Sequence, residues 1–265
     1  MMPLKKKTAL VLLLLMSSSA VRAQEPETQP KTNEQEYLER SESASHWFFE
    51  KLPRHLGEDI LETFLSPVAL VWTNGILLSG IVGTQDSAIQ ESMASHNLLG
   101  RGNGFFNVFG EIYTLGGISF ATVLAGFFLK NEKLKLLGEI FVESLFLTEA
   151  MTLGFKYGVG RARPDGSDNY SFPSGHASAS FAMATSVTAV YGPWAGIPSY
   201  ALASLIALSR LDDNKHFVSD VLFGATIGTA FALGTARFHK KENHSLFVVP
   251  QMNLDSMGIS LVKTF

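Results

Sequence analysis

Residues 209–220 read SRLDDNKHFVSD, and they end a long uncharged run. From Ala177 to Ser209 there is no Asp, Glu, Lys, Arg or His. The next few positions then bring Arg210, Asp212, Asp213, Lys215, His216 and Asp220. The apolar run shows no two-residue alternation and is too long for a strand, so it reads as helix. Gly192-Pro193 and Gly196 with Pro198, inside "YGPWAGIP", punctuate it into two helices. A dense charged island at the end of such a run needs a reason to be there.

Other apolar segments extend the pattern. Thr63 to Gln85 and Ile112 to Leu129 carry no charge, Leu137 to Phe155 is interrupted by Glu139, Glu143 and Glu149, and Val221 to Ala236 ends in Arg237, His239, Lys240 and Lys241. These lengths and periods predict an all-α protein, a single bundle of about five to six core helices. "SLFVVP" and "GISLVKTF", separated by the turn-like "QMNLDSM", predict a small C-terminal β-hairpin appended to it.

The organisation expected is a secretion signal over 1–23, a polar periplasmic leader over 24–58, a helical catalytic domain over 59–242 and a tail over 243–265. Lys5, Lys6 and Lys7, the apolar stretch Ala9–Met16 and the small-residue site Val21-Arg22-Ala23 carry the first assignment. Apolar residues make up 46% of the chain and charged ones 17%, with 20 phenylalanines, which fits a packed globule or a membrane protein of modest hydrophobicity. Thr63 to Gln85 is the best candidate span and the glutamate-bearing Leu137 to Phe155 the worst. A net charge of −3 offers nucleic acid no electrostatic footprint. With no cysteine, disulfides, thiolate metal sites and thiol nucleophiles are excluded together.

Three polar islands lie at helix boundaries. "KYGVGRARPDG", 156–166, sets Lys156, Arg161 and Arg163 around bending glycines and a helix-stopping Pro164, which suits an anion with several oxygens. "SFPSGHASAS", 171–180, reads as a helix start whose free amides favour an anion, with His176 in its first turn. In the third island His216 and Asp220 are four apart, so on a helix they share a face, and the carboxylate can hold one ring nitrogen while the other stays free. Each island alone has an ordinary structural explanation, as a cap, a surface histidine or an intrahelical pair. Together they supply cations, helix-start amides, an oriented histidine and a second histidine for proton transfer.

The three islands resemble the superfamily of type 2 phosphatidic acid phosphatases, class A bacterial acid phosphatases and vanadium haloperoxidases. Its signature, K-x6-R-P, P-S-G-H and S-R-x5-H-x3-D, is matched by Lys156, Arg163 and Pro164; by Pro173, Ser174, Gly175 and His176; and by Ser209, Arg210, His216 and Asp220. "DVLFGATIG" after it is also similar to the family's usual continuation, and Lys215 stands where a glycine is common. The resemblance covers residues 150–236.

It implies a phosphatase acting on phosphate monoesters, with lipid phosphates such as phosphatidate, phosphatidylglycerophosphate or polyprenyl diphosphate as substrates. In that reading His216 is the nucleophile that forms a phosphohistidine, Asp220 its orienting acid and His176 the proton donor. Lys156, Arg163, Arg210, Ser174 and Gly175 hold the phosphoryl oxygens. No metal and no cofactor is called for, and His46, His55, His96, His239 and His244 receive no role. A soluble periplasmic acid phosphatase of broad specificity and a vanadium-dependent haloperoxidase are the alternatives. The expected setting is the cell envelope, with membrane contact and the site facing the periplasm.

Overall fold

The computed structural model describes residues 45–93, 99–242, 246–253 and 256–263. The expected signal and most of the expected leader lie outside them. A short π-helical turn, Trp47–Lys51, leads into α1 (Leu52–Leu65), followed by α2 (Ala69–Gly83), α3 (Asp86–Met93), α4 (Asn103–Gly110), α5 (Ile112–Leu129), α6 (Glu132–Val159), α7 (Gly175–Tyr191), α8 (Pro193–Asp212) and α9 (Val218–Glu242). The boundary expected between 58 and 59 falls inside α1, because His55 and Asp59, one turn apart, are both buried. The predicted all-α architecture is what the chain adopts. The tail pairs β1 (Leu246–Asn253) with β2 (Ser256–Lys263) in an antiparallel hairpin, Leu246 opposite Lys263.

Local chemistry sets the helix boundaries. Asn131 caps α6 by accepting from the Leu134 amide, and Gly160 ends that helix in a left-handed conformation. Ser174 caps α7, and Gly192 separates it from α8, which opens on Pro193. Pro198, expected to mark a break, lies within α8. The uncharged stretch 63–85, expected as one span, is not one helix. Ser66 and Pro67 separate α1 from α2, and the two helical axes meet at 63°. Among the described residues, helices long and apolar enough to cross a bilayer are Ile112–Leu129 and Val218–Lys241, with the bent pair Trp47–Leu65 and Ala69–Gly83 as a third if taken together.

At the centre stands α9, packed most extensively on α7 and then on α2, α6 and α1. Its contact with α7 depends on two glycines one turn apart. A Cβ on Gly224 would lie 2.5 Å from the Ser174 carbonyl oxygen, and one on Gly228 2.0 Å from that of Ser178. Only a backbone without side chains lets the helices approach so closely. The same axis anchors an aromatic cluster: Phe223 of α9 stacks on Phe172 (4.8 Å between centroids) and meets Phe155 of α6 edge-on at 5.1 Å.

Gly228→Ala overpacks this contact, at a cost of about 1–3 kcal/mol, a fall in thermal midpoint of roughly 2–12 °C. Differential scanning fluorimetry of the purified protein checks it, and an unchanged midpoint contradicts the close-approach account.

Candidate active site

The aromatic cluster explains why the three islands meet. Phe155 immediately precedes Lys156, Phe172 precedes the Pro173–His176 helix start, and Phe223 lies one turn beyond Asp220. Packing these rings together delivers the C-terminal end of α6, the N-terminal ends of α7 and α9 and the last turn of α8 to one end of the bundle. A backbone bond from the Ser174 amide to the Asp220 carbonyl (3.0 Å) fastens two of them directly.

His216 is buried in the turn between α8 and α9. Its Nδ1 donates to the Ser171 carbonyl at 2.6 Å, which leaves Nε2 with its lone pair, 3.3 Å from a guanidinium nitrogen of Arg163. The direct bond expected from Asp220 is not made, since that carboxylate stands 4.0 Å from Nδ1. It acts at one remove: Asp220 accepts from the Ser171 hydroxyl, the Phe217 amide (2.9 Å) and Arg161 (2.6 Å), and so holds the residue whose carbonyl holds the imidazole.

The cations surround this ring. Arg163 is fixed by Asp168 (2.6 Å) and by the Lys215 carbonyl. Lys156 donates to the carbonyls of Tyr170 (2.7 Å) and Pro173 (2.9 Å), which ties down the loop before α7. Arg210 bonds Asn107 at 2.6 Å, while its buried Nε has no hydrogen-bond partner in the protein. A buried guanidinium edge with nothing to donate to is costly unless a ligand supplies the acceptor. Ser174, buried, uses its hydroxyl to cap α7, and Gly175 opens that helix.

His176 contacts the Asn107 carbonyl through Nε2 at 3.0 Å, with Glu111 at 3.6 Å. A Cβ on Gly110 would come within 2.7 Å of this ring, so α4 lies against His176 only because residue 110 is glycine.

Charge and burial act together on the titrating groups. Burial, with Lys156, Arg163 and Arg210 nearby, holds the His216 imidazole well below its ordinary 6.5. Burial and Arg210 lower His176 to about 4. Burial and Arg163 bring Lys156 down to about 8. Crowded cations and neutral imidazoles give this end of the bundle a chemistry suited to an anion.

The structure therefore gathers Lys156, Arg163, Ser174, Gly175, His176, Arg210, His216 and Asp220 at one end of the bundle. Sequence reasoning missed the residues that support them. Asp213 accepts from Asn103 and Asn107. Asn107 joins Arg210, Asp213 and His176 in one network. Asp86 of α3, buried, binds the Ser219 amide (3.1 Å) and Arg161 (2.9 Å), and so braces the start of α9. His55 and His239, which received no role, come together with Glu143 at a distance from this site, their ligating atoms all within 4.8 Å of one another. They are far apart in sequence, so no spacing announces them.

Residues 138–244 match the family model of the PAP2 superfamily. Over 76 residues the chain is 46% identical to the lipid A 1-phosphatase of Porphyromonas gingivalis, a match that spans 28% of this chain and 17% of that protein. The structure is similar to the first transmembrane PAP2 type phosphatidylglycerolphosphate phosphatase from Bacillus subtilis, at a TM-score of 0.51 and 19% identity, covering 65% of this chain and 96% of that one. It is also similar to LpxE of Aquifex aeolicus, at a TM-score of 0.48 and 22% identity, covering 57% and 94%.

Arg210→Ala removes charge-assisted donors from the anion site, each worth about 1.5–3 kcal/mol. Inorganic phosphate or vanadate binding, read by titration calorimetry, is expected to weaken at least about 10-fold. Unchanged affinity contradicts the placement of an anion against Arg210.

Proposed function

We propose that the protein is a lipid phosphatase, which hydrolyses a phosphate monoester on a membrane lipid through a phosphohistidine on His216. The observation that carries this reading is the placement of that imidazole: buried, with Nδ1 committed to the Ser171 carbonyl and Nε2 beside the Arg163 guanidinium. A neutral nitrogen of fixed tautomer facing a cationic pocket is arranged to attack phosphorus.

In the proposed sequence, Nε2 of His216 forms the N–P bond as the P–O bond to the lipid alcohol breaks. Lys156, Arg163 and Arg210 neutralise the equatorial oxygens, with Ser174 and the Gly175 amide as further donors. His176 gives its proton to the departing alkoxide. It then takes one from water, whose oxygen displaces the histidine and releases inorganic phosphate. His176 is neutral in the free protein, and an arriving phosphate dianion raises its proton affinity and loads it for the first step. Asp220, through Ser171 and across 4.0 Å, stabilises the cationic ring that forms.

A lipid substrate is supported by the surface. Leu70, Ile76, Leu77, Leu78 and Ile81 on α2 and Phe120, Phe128 and Leu129 on α5 are exposed. Only 22% of the α5 window is buried inside the protein, so its apolar residues face outward as they would towards acyl chains. The segment shared with a lipid A 1-phosphatase points the same way. Phosphorylated glycolipids, phosphatidate and phosphatidylglycerophosphate are the substrates to assay, in an envelope membrane with the site facing the periplasm.

His216→Ala is expected to reduce phosphate release from such lipids in mixed micelles to background, and His176→Ala to slow it by about 10²–10⁴-fold. Wild-type turnover of a soluble aryl phosphate at the rate of the lipids contradicts the substrate class, and full activity of His216→Ala contradicts the nucleophile. The pH profile follows from the same groups. In kcat/KM, His216 must be neutral and Lys156 charged in the free protein. The acid limb then lies below the ordinary 6.5 of histidine, and activity falls as pH rises through about 8. An acid limb centred at 6.5 or above contradicts the cationic environment of His216.

A further inference from the structure

A second polar cluster lies at the other end of the bundle. His239 is nineteen residues beyond Asp220 on α9, about 28 Å at 1.5 Å per residue. There Glu143 of α6 is fully buried between two imidazoles, with Oε1 3.0 Å from His55 Nδ1 of α1 and Oε2 2.6 Å from His239 Nε2 of α9. The two rings stand edge to face, 5.3 Å between centroids, and Phe238 covers His55 at 4.9 Å.

Hydrogen bonding within this trio accounts for one carboxylate. It does not account for Asp59, one turn from His55 on α1, which is completely buried and has no hydrogen-bond partner at either oxygen. Thr235 and Glu143 nevertheless lie within looser side-chain hydrogen-bonding reach of Asp59, and His239 is near enough to act on it electrostatically. Thr235, one turn before His239 on α9, is likewise buried with its hydroxyl unpartnered. Two acids in a dry interior are expensive unless one takes a proton or a cation joins them. A divalent cation among two carboxylates and two neutral imidazoles brings the net charge of the cluster to zero.

We propose that His55, Glu143 and His239, with Asp59 beside them, form a buried structural site for a divalent transition metal of the zinc class. Two histidines and a glutamate are a donor set that zinc takes, and imidazole with carboxylate disfavours the softer thiolate-seeking ions. The ligands come from three helices that are remote in sequence, so the ion cross-links α1 to α6 and α9. Its place there matches the close approach of α1 and α9 one turn away, where a Cβ on Gly234 would lie 2.0 Å from the Thr63 hydroxyl oxygen. The site is independent of the phosphate pocket and of the chemistry proposed for it.

The test uses the full chain, purified in detergent without a histidine tag, stripped with a chelator and titrated with zinc or cobalt(II). About one equivalent of zinc per chain is expected by elemental analysis, with a saturable rise in thermal midpoint and visible cobalt absorption of a tetrahedral site. Glu143→Gln and His239→Ala are expected to weaken zinc binding by at least about 10–100-fold, while His46→Ala, a change on an exposed side chain, leaves it intact. Should the variants fail to fold, the wild-type stoichiometry and cobalt spectrum still decide. A stripped wild-type protein that takes up less than a tenth of an equivalent and shows no change in midpoint overturns the proposal, as does undiminished binding by folded Glu143→Gln and His239→Ala proteins.

Discussion

The approach of α9 to α7 is the constraint from which the rest of this structure follows. Gly224 and Gly228 place the backbone of one helix against the carbonyls of Ser174 and Ser178 on the other. Any side chain there would separate the helix start that carries His176 from the one that carries Asp220. With the helices in contact, the Ser174 amide reaches the Asp220 carbonyl, and Phe172 settles on Phe223. A packing requirement on two small residues thereby becomes a geometric requirement on two functional ones.

That geometry creates an electrostatic deficit. Lys156, Arg163 and Arg210 converge on two histidines that burial and these cations together keep neutral, and Arg210 retains a buried donor with no acceptor in the protein. The supporting network is spent on aiming these groups. Asp168 holds Arg163, Asn107 holds Arg210, and Asp220 with Asp86 holds Arg161. Such a site has most to gain from a doubly charged anion, and a phosphoryl group that moves from oxygen to nitrogen stays within reach of the same donors throughout.

Much of this was legible in the sequence because it is local. The uncharged stretch Ile112 to Leu129 is a helix with those bounds, and Asp220 falls in the first turn of α9, whereas His216, read as sharing that helix, lies in the turn before it. The all-α class follows from period and length, and the short β-branched tail segments do pair. The failures involve either a subtle local signal or a distant partner. Ser66-Pro67 divides the apolar stretch 63–85, a break that hydrophobicity alone does not register. Asp220 bonds Ser171 rather than His216, since three nearer donors compete for the carboxylate. Asp86 and Asn107 find partners more than a hundred residues away. His55 and His239 reach Glu143 from separations of 88 and 96 residues, which no spacing rule spans.

Trapping the covalent state tests the account most directly. The wild-type protein, mixed with a lipid substrate carrying isotopically labelled phosphate and quenched in base within a few turnovers, is predicted to carry an acid-labile phosphoryl group. Peptide mapping should locate it on His216, and the label should discharge as inorganic phosphate with water oxygen incorporated. Turnover without any labelled histidine, or with the label on another residue, would contradict the assignment of His216 as the nucleophile.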